Sequence, residues 1–258
     1  MSTYFIGDVH GCYKQLENLL DKVKFNPLMD TIWLTGDLVH KGPNSIEVLS
    51  FIHSLGKSTK IVLGNHDIQF IKNNYCSNID KIRYLVHWLR HQSLIQIDEE
   101  RKIFMVHAGV IPQWNINNVI QYAHDIELQL RGNNFKNFIK SIYNKKNNTT
   151  LNELNFNIQV FTKIRYCFSD GKLDINREYH QKIERKNSYS FLSSPWFNFY
   201  GPIRKKYNII FGHWSALMGR GLPSGIYGLD TGCCWGGYLT MLRWEDKKIF
   251  RVSGIKNK

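Results

Sequence analysis

The sequence predicts an α/β fold whose first strands pair in parallel. Short apolar runs alternate with segments of helical period over the first hundred residues, and the links between them are short. Strands and helices that alternate in this way form parallel sheets through right-handed crossovers. The length of 258 residues suits one large domain, and the hydrophobic share of 43% is ordinary for a globular protein.

The first three strands and two helices follow from apolar runs and leucine spacing. We expect strands at 4–6, 32–34 and 60–63. Leu16, Leu19 and Leu20 share one face of a helix that connects the first two strands. Asn44, with a glutamate three residues later, resembles a capping box and opens a second helix, which ends at Gly56.

The rest of the chain is expected to add a helical segment and a second group of strands. Helices are expected at 79–91 and 115–145, and strands at 94–97, 103–106, 209–211, 225–227, 237–244 and 248–252. The polar segments 144–155 and 171–194 are expected to be loops or an irregular lid. We expect one domain over 1–258, with a mostly helical or loop insertion at about 115–200.

Composition limits the function classes. The formal net charge is +13, but the charge is diffuse and reflects abundant lysine everywhere, so it predicts no DNA-binding module. Five scattered cysteines predict no disulfide scaffold, and we expect Cys233 and Cys234 to be small buried residues of a strand. No apolar run has transmembrane length and no signal-peptide pattern opens the sequence, so we expect a cytoplasmic protein without a membrane partner.

Five predicted strands lead directly into polar clusters. The clusters are Gly7-Asp8-Val9-His10-Gly11, Gly36-Asp37, Gly64-Asn65-His66-Asp67, His107-Ala108-Gly109 and Gly212-His213. Because the carboxyl ends of strands in an open α/β sheet share one edge, we expect these polar side chains to converge. A single cluster of this kind is usually turn chemistry, but five in one chain favour a metal centre.

The polar side chains suit two transition-metal ions. The candidate ligands are Asp8, His10, Asp37, Asn65, His107 and His213, with His66 beside them. Imidazole and oxygen ligands together favour Mn, Fe, Zn, Co or Ni over Mg or Ca. Six ligands are too many for one catalytic ion, whereas two ions about 3.5–4 Å apart can activate a hydroxide for displacement at phosphorus.

These motifs resemble those of the calcineurin-like metallophosphoesterases of the phosphoprotein-phosphatase type. Within that superfamily the chain is most similar to the bacterial symmetrical bis(5′-nucleosyl)-tetraphosphatases, also called diadenosine tetraphosphatases. The segments that carry this similarity are 33–39, 107–114, 211–214, 229–237 and 242–247. The resemblance implies a sandwich of two β-sheets flanked by helices (α-β-β-α), with a di-metal site at the carboxyl ends of the strands.

The resemblance also implies a role for each residue of the strand ends. Asp8 and His10 would hold one ion, Asn65, His107 and His213 would hold the other, and Asp37 would bridge them. Two divalent transition-metal ions are expected, with Mn ahead of Co, Fe, Zn and Ni. His66 is the expected general acid, which would protonate the departing phosphate oxygen.

The implied substrate is a dinucleoside tetraphosphate, cut in the middle to give two nucleoside diphosphates. Its dense negative charge requires cations besides the metals, and Lys41 and Arg165 are the candidates. Four aromatic residues could stack on a base. Trp214 is favoured because it follows a ligand histidine, ahead of Trp114, Tyr227 and Trp235.

Two residues depart from the pattern that the resemblance implies. Lys41 stands where the family has arginine, so the charge is kept but the bidentate fork is lost. His40 stands where the wider phosphatase family has an aspartate that supports the catalytic histidine. A neutral imidazole cannot supply that charge, so we do not expect His40 to take that role.

Other functions stay open from the sequence alone. A phosphoprotein phosphatase would share the metal site but would need a groove for a peptide. Removal of nucleoside-tetraphosphate caps from the 5′ ends of RNA would use the same chemistry, and the positive net charge favours it. A binding protein on a fold without metals is disfavoured by the complete set of ligand types. The oligomeric state does not follow from the sequence.

Overall fold

The computed structural model describes residues 1–142, 149–174 and 193–255, and its strands form two main sheets. The strands are β1 (Thr3–Ile6), β2 (Thr31–Leu34), β3 (Thr59–Ile61), β4 (Ile95–Asp98), β5 (Ile103–Val106), β6 (Tyr166–Cys167), β7 (Ser194–Pro195), β8 (Asn208–Phe211), β9 (Ile226–Gly228), β10 (Asp230–Thr231), β11 (Tyr238–Arg243) and β12 (Ile249–Ser253).

The pairing within the two sheets follows the predicted alternation of strands and helices. The first sheet has the order β10-β11-β1-β2-β3, with β12 on the other edge of β11. In it, β1, β2 and β3 are parallel, whereas β11 runs antiparallel to β1. The second sheet has the order β4-β5-β8-β9, in which β4 and β5 form the predicted antiparallel hairpin and the other pairs are parallel. The short strands β6 and β7 pair separately.

The helices cover the outer faces of the sheets. They are α1 (Tyr13–Lys22), α2 (Ser45–Ser54), α3 (Asn65–Asn74), α4 (Asp80–Leu89), α5 (Ile116–Arg131), α6 (Phe135–Ser141), α7 (Thr149–Lys163) and α8 (Pro202–Lys206). Helix α1 buries Leu16, Leu19 and Leu20, as their spacing predicts. Among the residues that the structure describes, no helix is both long and apolar enough to cross a membrane.

Side chains of the two sheets meet in a core of their own. Phe5 of β1 and Trp33 of β2 pack in the same buried cluster as Met105 of β5 and Ile210 of β8. Side chains at alternate strand positions, such as Ile6, belong instead to the larger core under the helices. This arrangement is an α-β-β-α sandwich, so the predicted fold class is confirmed.

Helices α3 and α7 were not expected from the sequence. The prediction of a loop over 144–155 is wrong from Thr149 onward, where α7 begins, and its first five residues lie outside the described residues. Its asparagines are weak helix formers, but Ile158 and Phe161 lie three residues apart and are completely buried. Helix α3 begins after Gly64, which has no side chain that could signal a cap.

Two local details also differ from expectation, and two expectations stay untested. Cys233 and Cys234 are buried as expected, but they lie in a short 3₁₀ turn and not in a strand. Asn44 precedes α2, but its side chain caps no backbone N–H. Most of the expected lid at 171–194 lies outside the described residues. The single domain with an insertion at about 115–200 stays a prediction.

The core between the sheets predicts the effect of removing a large side chain there. The Phe5 ring is fully buried and lies 5.2 Å from the Trp33 ring. We expect Phe5→Ala to lower the free energy of unfolding by about 3–5 kcal/mol because it leaves a cavity between the sheets. Urea denaturation measures this change, with the exposed Tyr200→Ala as the control, and a loss below about 1 kcal/mol would contradict the packing described.

Candidate metal centre

The carboxyl ends of β1, β2, β3, β5 and β8 bring the predicted ligands together. Two groups of side chains in the described part of the chain have potential ligand atoms within 4.8 Å of one another: His10, Asp37 and His66, and Asp37, His107 and His213. Asp37 belongs to both groups. Its Oδ2 lies 3.7 Å from Nε2 of His10 and 3.5 Å from Nε2 of His107.

Backbone carbonyls fix the orientation of three histidine rings. Nδ1 of His10 lies 3.1 Å from the Val39 carbonyl oxygen, and Nδ1 of His107 lies 2.7 Å from that of Thr35. For His213, Nε2 lies 3.1 Å from the carbonyl oxygen of Lys163. A carbonyl only accepts, so each of these nitrogens carries its proton, and the other nitrogen of a neutral ring offers a lone pair.

This donor set fits a divalent transition metal. Imidazole nitrogens and the Asp37 carboxylate face one small volume, where one bound cation could contact all of them. Asn65 adds an oxygen to the second group, because its Oδ1 lies 3.3 Å from Nε2 of His107. Mixed nitrogen and oxygen donors match the preference predicted from the sequence.

Asp8 belongs to neither group of potential ligands, but its buried carboxylate lies next to the backbone of His213. Its carboxylate accepts hydrogen bonds from the Thr35 hydroxyl (3.0 Å) and from the backbone N–H of His213 (2.9 Å). Burial, and the nearby Asp230 carboxylate, raise the pKa of Asp8 well above its usual value. A buried carboxylate in these surroundings is a favourable place for a cation.

Two strand-end glycines make room for the carboxylates. A Cβ atom on Gly212 would lie 1.9 Å from Oδ1 of Asp8, and one on Gly64 would lie 2.1 Å from Oδ1 of Asp37. No side chain fits at either position unless the carboxylate moves. Glycine is therefore required at these two positions because a carboxylate lies against the backbone there.

The charges around Asp37 and His107 are strongly coupled. Burial opposes the charged form of Asp37, but His107 and His10 outweigh it and hold the pKa of Asp37 below its usual range. Burial also disfavours a charged His107 ring, yet the Asp37 and Asp8 carboxylates raise the pKa of His107 to about 10. The site therefore favours positive charge beside these two carboxylates.

Asp67 holds the loop of Asp37 in place, a role that the sequence did not reveal. Its buried carboxylate accepts hydrogen bonds from the backbone N–H groups of Asp37 (2.8 Å), Leu38 (2.9 Å) and Gly64 (2.9 Å). These hydrogen bonds of the Asp67 carboxylate connect the loop after β2 with the loop after β3. Its signal in the sequence is an acidic residue in the first turn of α3.

His66 contacts His40, which was not expected to support it. Their Nδ1 atoms are 3.2 Å apart, so one ring donates a hydrogen bond to the other. The backbone N–H of His66 donates to Oδ1 of Asp37 (2.8 Å). Burial lowers the pKa of His66 to about 4. The imidazole of His40 can therefore orient the His66 ring through this hydrogen bond.

Five side chains of the strand ends line a cleft of about 570 Å³: His10, Asp37, Asn65, His66 and His213. Lys41 and Arg165 both line it, and an Arg165 nitrogen donates to the backbone carbonyl of His213 (3.3 Å). Asp230 lines the cleft as well, although the sequence reasoning assigned it no role. It follows β9, so the rule of polar residues at strand ends could have identified it.

Trp214 does not offer a surface to a ligand, which corrects the expectation for base stacking. Its side chain is only 6% exposed and packs against Tyr166 and Phe197, with ring centroids 4.9 and 5.9 Å away. Trp114 and Tyr227 also pack against the hydrophobic core. Trp235, in contrast, is 57% exposed and lines the cleft.

Unusual backbone angles are concentrated at the site. Six residues there other than glycine have positive φ: His10 (48°), Asp37 (49°), His40 (68°), Lys41 (66°), His213 (63°) and Met218 (51°). Such a conformation costs roughly 1–2 kcal/mol for a residue with a Cβ. Hydrogen bonds between the loops hold it, among them His10 N–H to the Asp37 carbonyl (2.8 Å). Strain concentrated in this way is typical of functional sites.

The hydrogen bonds of Asp67 predict the effect of replacing one of its oxygens. All three N–H donors point at its two carboxylate oxygens, so in Asp67→Asn the amide nitrogen must face at least one of them. We expect metal affinity to fall about tenfold or more, because the Asp37 loop is no longer held by all the hydrogen bonds to residue 67. Titration with Mn²⁺ measures this, with the exposed Asp170→Asn as the control; equal affinities would contradict the role.

Known proteins resemble the chain along its whole length. The calcineurin-like phosphoesterase family matches residues 1–221. A relative from Baumannia cicadellinicola is 48% identical over 277 aligned positions, with 100% of this chain and 94% of the relative covered. One from Buchnera aphidicola subsp. Schizaphis graminum is 43% identical, with 100% and 99% covered. Both are named symmetrical bis(5′-nucleosyl)-tetraphosphatase.

Solved structures share the fold. One described as a candidate diadenosine tetraphosphatase has a TM-score of 0.64 and 23% identity, with 99% of this chain and 95% of that chain covered. A cold-active protein-tyrosine phosphatase from Shewanella has a TM-score of 0.56 and 18% identity, with 97% and 80% covered. The family match and the sequence relatives place the chain: it belongs to the calcineurin-like phosphoesterase family and, within it, to the symmetrical bis(5′-nucleosyl)-tetraphosphatases.

Proposed function

We propose that this protein hydrolyses dinucleoside tetraphosphates, such as diadenosine tetraphosphate, symmetrically to two nucleoside diphosphates. The observation that carries the proposal is that two groups of potential metal ligands share Asp37, which lines a cleft together with Lys41 and Arg165. Such a cleft suits a substrate with several adjacent phosphates. The names of the relatives support the same substrate class.

Two divalent ions would be held by the side chains at the strand ends. Asp8 and His10 are proposed for one ion, Asn65, His107 and His213 for the other, and Asp37 for both. Manganese is the first choice, and cobalt, iron, zinc and nickel have the same ligand preferences. When bound, such ions supply Lewis-acid stabilisation of phosphoryl oxygens and lower the pKa of water.

His66 is proposed as the general acid that protonates the departing phosphate oxygen. In this role its Nδ1–H donates to Nδ1 of His40, which leaves Nε2 as the nitrogen that carries the transferable proton. Burial lowers the pKa of His66 to about 4 in the free protein. A bound polyphosphate would raise this pKa through its negative charge, so the substrate itself would favour the acid form.

Lys41 and Arg165 are proposed to bind the phosphates next to the bond that breaks. The backbone of Lys41 lies beside that of His10, since the following residue, Gly42, donates to the His10 carbonyl (2.8 Å). Arg165 instead donates a hydrogen bond to the backbone carbonyl of His213 (3.3 Å). One cation therefore lies next to each group of ligands, and each can neutralise one half of a symmetrical phosphate chain.

The proposed reaction predicts its products. The purified protein, incubated with Mn²⁺ and diadenosine tetraphosphate, is expected to release ADP alone, as measured by chromatography of the nucleotides. EDTA is expected to abolish the activity, and added Mn²⁺ to restore it, because the ions would activate water and stabilise the phosphoryl oxygens. Release of AMP and ATP, or activity on phosphopeptides or capped RNA alone, would contradict the proposed function.

The proposed acid predicts a separation of metal binding from turnover. We expect His66→Ala to keep the bound metal and to lower kcat about 10²–10⁴-fold, the usual contribution of a general acid. His40→Ala leaves the acid in place but removes its partner, so we expect a smaller loss. The exposed His124→Ala is the control. If His66→Ala instead loses one ion by elemental analysis, His66 is a ligand and not the acid.

A further inference from the structure

Trp235 is an exposed tryptophan on the wall of the cleft. All seven tryptophans lie within the described residues, and four of them are no more than 8% exposed: Trp33, Trp196, Trp214 and Trp244. Trp235 is 57% exposed and lines the cleft beside the candidate metal centre. A large apolar ring that is open to a polar cleft is typical of a surface that binds a flat ligand.

The local backbone turns Trp235 outward. The 3₁₀ turn Cys233–Trp235 lies between Gly232 and Gly236, which have left-handed φ angles of 73° and 82°. The two cysteines of this turn are buried, whereas the tryptophan points away from the core. Its exposure therefore follows from the shape of the turn and does not come from a loose loop.

Lys41 lies between the candidate metal centre and this ring. Its Nζ is 5.4 Å from the centroid of the Trp235 ring, within the range of a cation–π contact. Its backbone lies beside His10, as described above. Along this wall the order is metal ligand, cation and aromatic ring. A nucleotide has the matching order of reacting phosphate, further phosphate and base.

The second cation of the cleft is Arg165, which donates a hydrogen bond to the backbone carbonyl of His213 (3.3 Å). Among the described residues that line the cleft, Trp235 is the sole Trp, Tyr or Phe. One nucleoside of a symmetrical substrate can therefore stack on a ring, while the other half is held mainly through its phosphates.

We propose that Trp235 and Lys41 form a platform for one nucleobase and its phosphates, and that this platform sets the position of the cut. The inference rests on the proposed function. A base stacked on Trp235 would place a fixed number of phosphates between itself and the metal ligands. In a tetraphosphate, the bridge between the second and third phosphates breaks. Water supplies the oxygen bonded to the attacked phosphorus, and a proton goes to the departing oxygen.

The test compares a substrate with bases and one without. Kinetics of Trp235→Ala and Trp235→Phe are measured on diadenosine tetraphosphate and on inorganic tetraphosphate. Loss of stacking is expected to raise KM for the dinucleotide about 5- to 150-fold in W235A and far less in W235F. KM for inorganic tetraphosphate is expected to stay within about twofold of the wild type, because that substrate makes no stacking contact.

The products give a second readout. W235A is expected to release some AMP and ATP beside ADP, because the phosphate chain is no longer held in one position. Tyr200→Ala is the matched control, since this aromatic side chain is 67% exposed but does not line the cleft. It is expected to leave KM and products unchanged.

Two outcomes overturn the platform and leave the proposed function intact. One is a W235A variant with unchanged KM that still releases ADP alone. The other is an equal rise in KM for both substrates, which indicates a distorted cleft. If the wild type releases no ADP, the proposed function fails, but quenching of tryptophan fluorescence by ADP in the presence of EDTA still tests the platform. Equal quenching in the wild type and W235F would then overturn it.

Discussion

The burial of the Asp37 carboxylate is the constraint on which the rest of the site depends. An ionised carboxylate in a protein interior is stable only when positive groups and hydrogen-bond donors surround it. Imidazoles approach this carboxylate from two sides, and the backbone N–H of His66 donates to it. Gly64 lacks a side chain because the carboxylate occupies the space of its Cβ. The types of residue at several strand ends thus follow from one buried charge.

The fold supplies the rigidity that this arrangement needs. The loops that carry the ligands are short and begin at strands whose side chains pack between the sheets or under the helices. Carbonyl oxygens of neighbouring segments orient the rings of His10, His107 and His213, and the one at His213 belongs to the last residue of α7. Asp67 adds a hydrogen-bond acceptor that connects two of the loops. The strained angles at Asp37 and His10 persist because so many contacts determine them together.

The sequence predicted the features that depend on local pattern and on strand direction. Polar residues such as Asp37 and His107 follow apolar runs, and parallel pairing brings the ends of such runs together. What it could not predict depends on contacts between distant segments. Trp214 and Trp235 were both candidates for base stacking, but only the folded chain packs Tyr166 and Phe197 against Trp214.

Other differences between prediction and structure have the same cause. His40 and His66 are 26 positions apart, and their contact exists because the loops of β2 and β3 lie side by side. Helix α7 was not expected because its asparagines favour other conformations, while its buried face, with Ile158 and Phe161, gains its stability from tertiary packing. Asp67 is part of the Gly64–Asp67 cluster in the sequence, but its role as a hydrogen-bond acceptor depends on the position of the Asp37 backbone in the fold.

The two ligand groups differ in the sheets from which their residues come. His10, Asp37 and His66 all follow strands of the first sheet, whereas His107 and His213 follow strands of the second. The group of Asp37, His107 and His213 is therefore complete only when the two sheets are packed together. A cation bound by this group would bind the folded sandwich and not its separated layers, so its binding free energy would add to the stability of the fold. The thermal stability of this protein and the supply of free metal in its surroundings are then linked quantities.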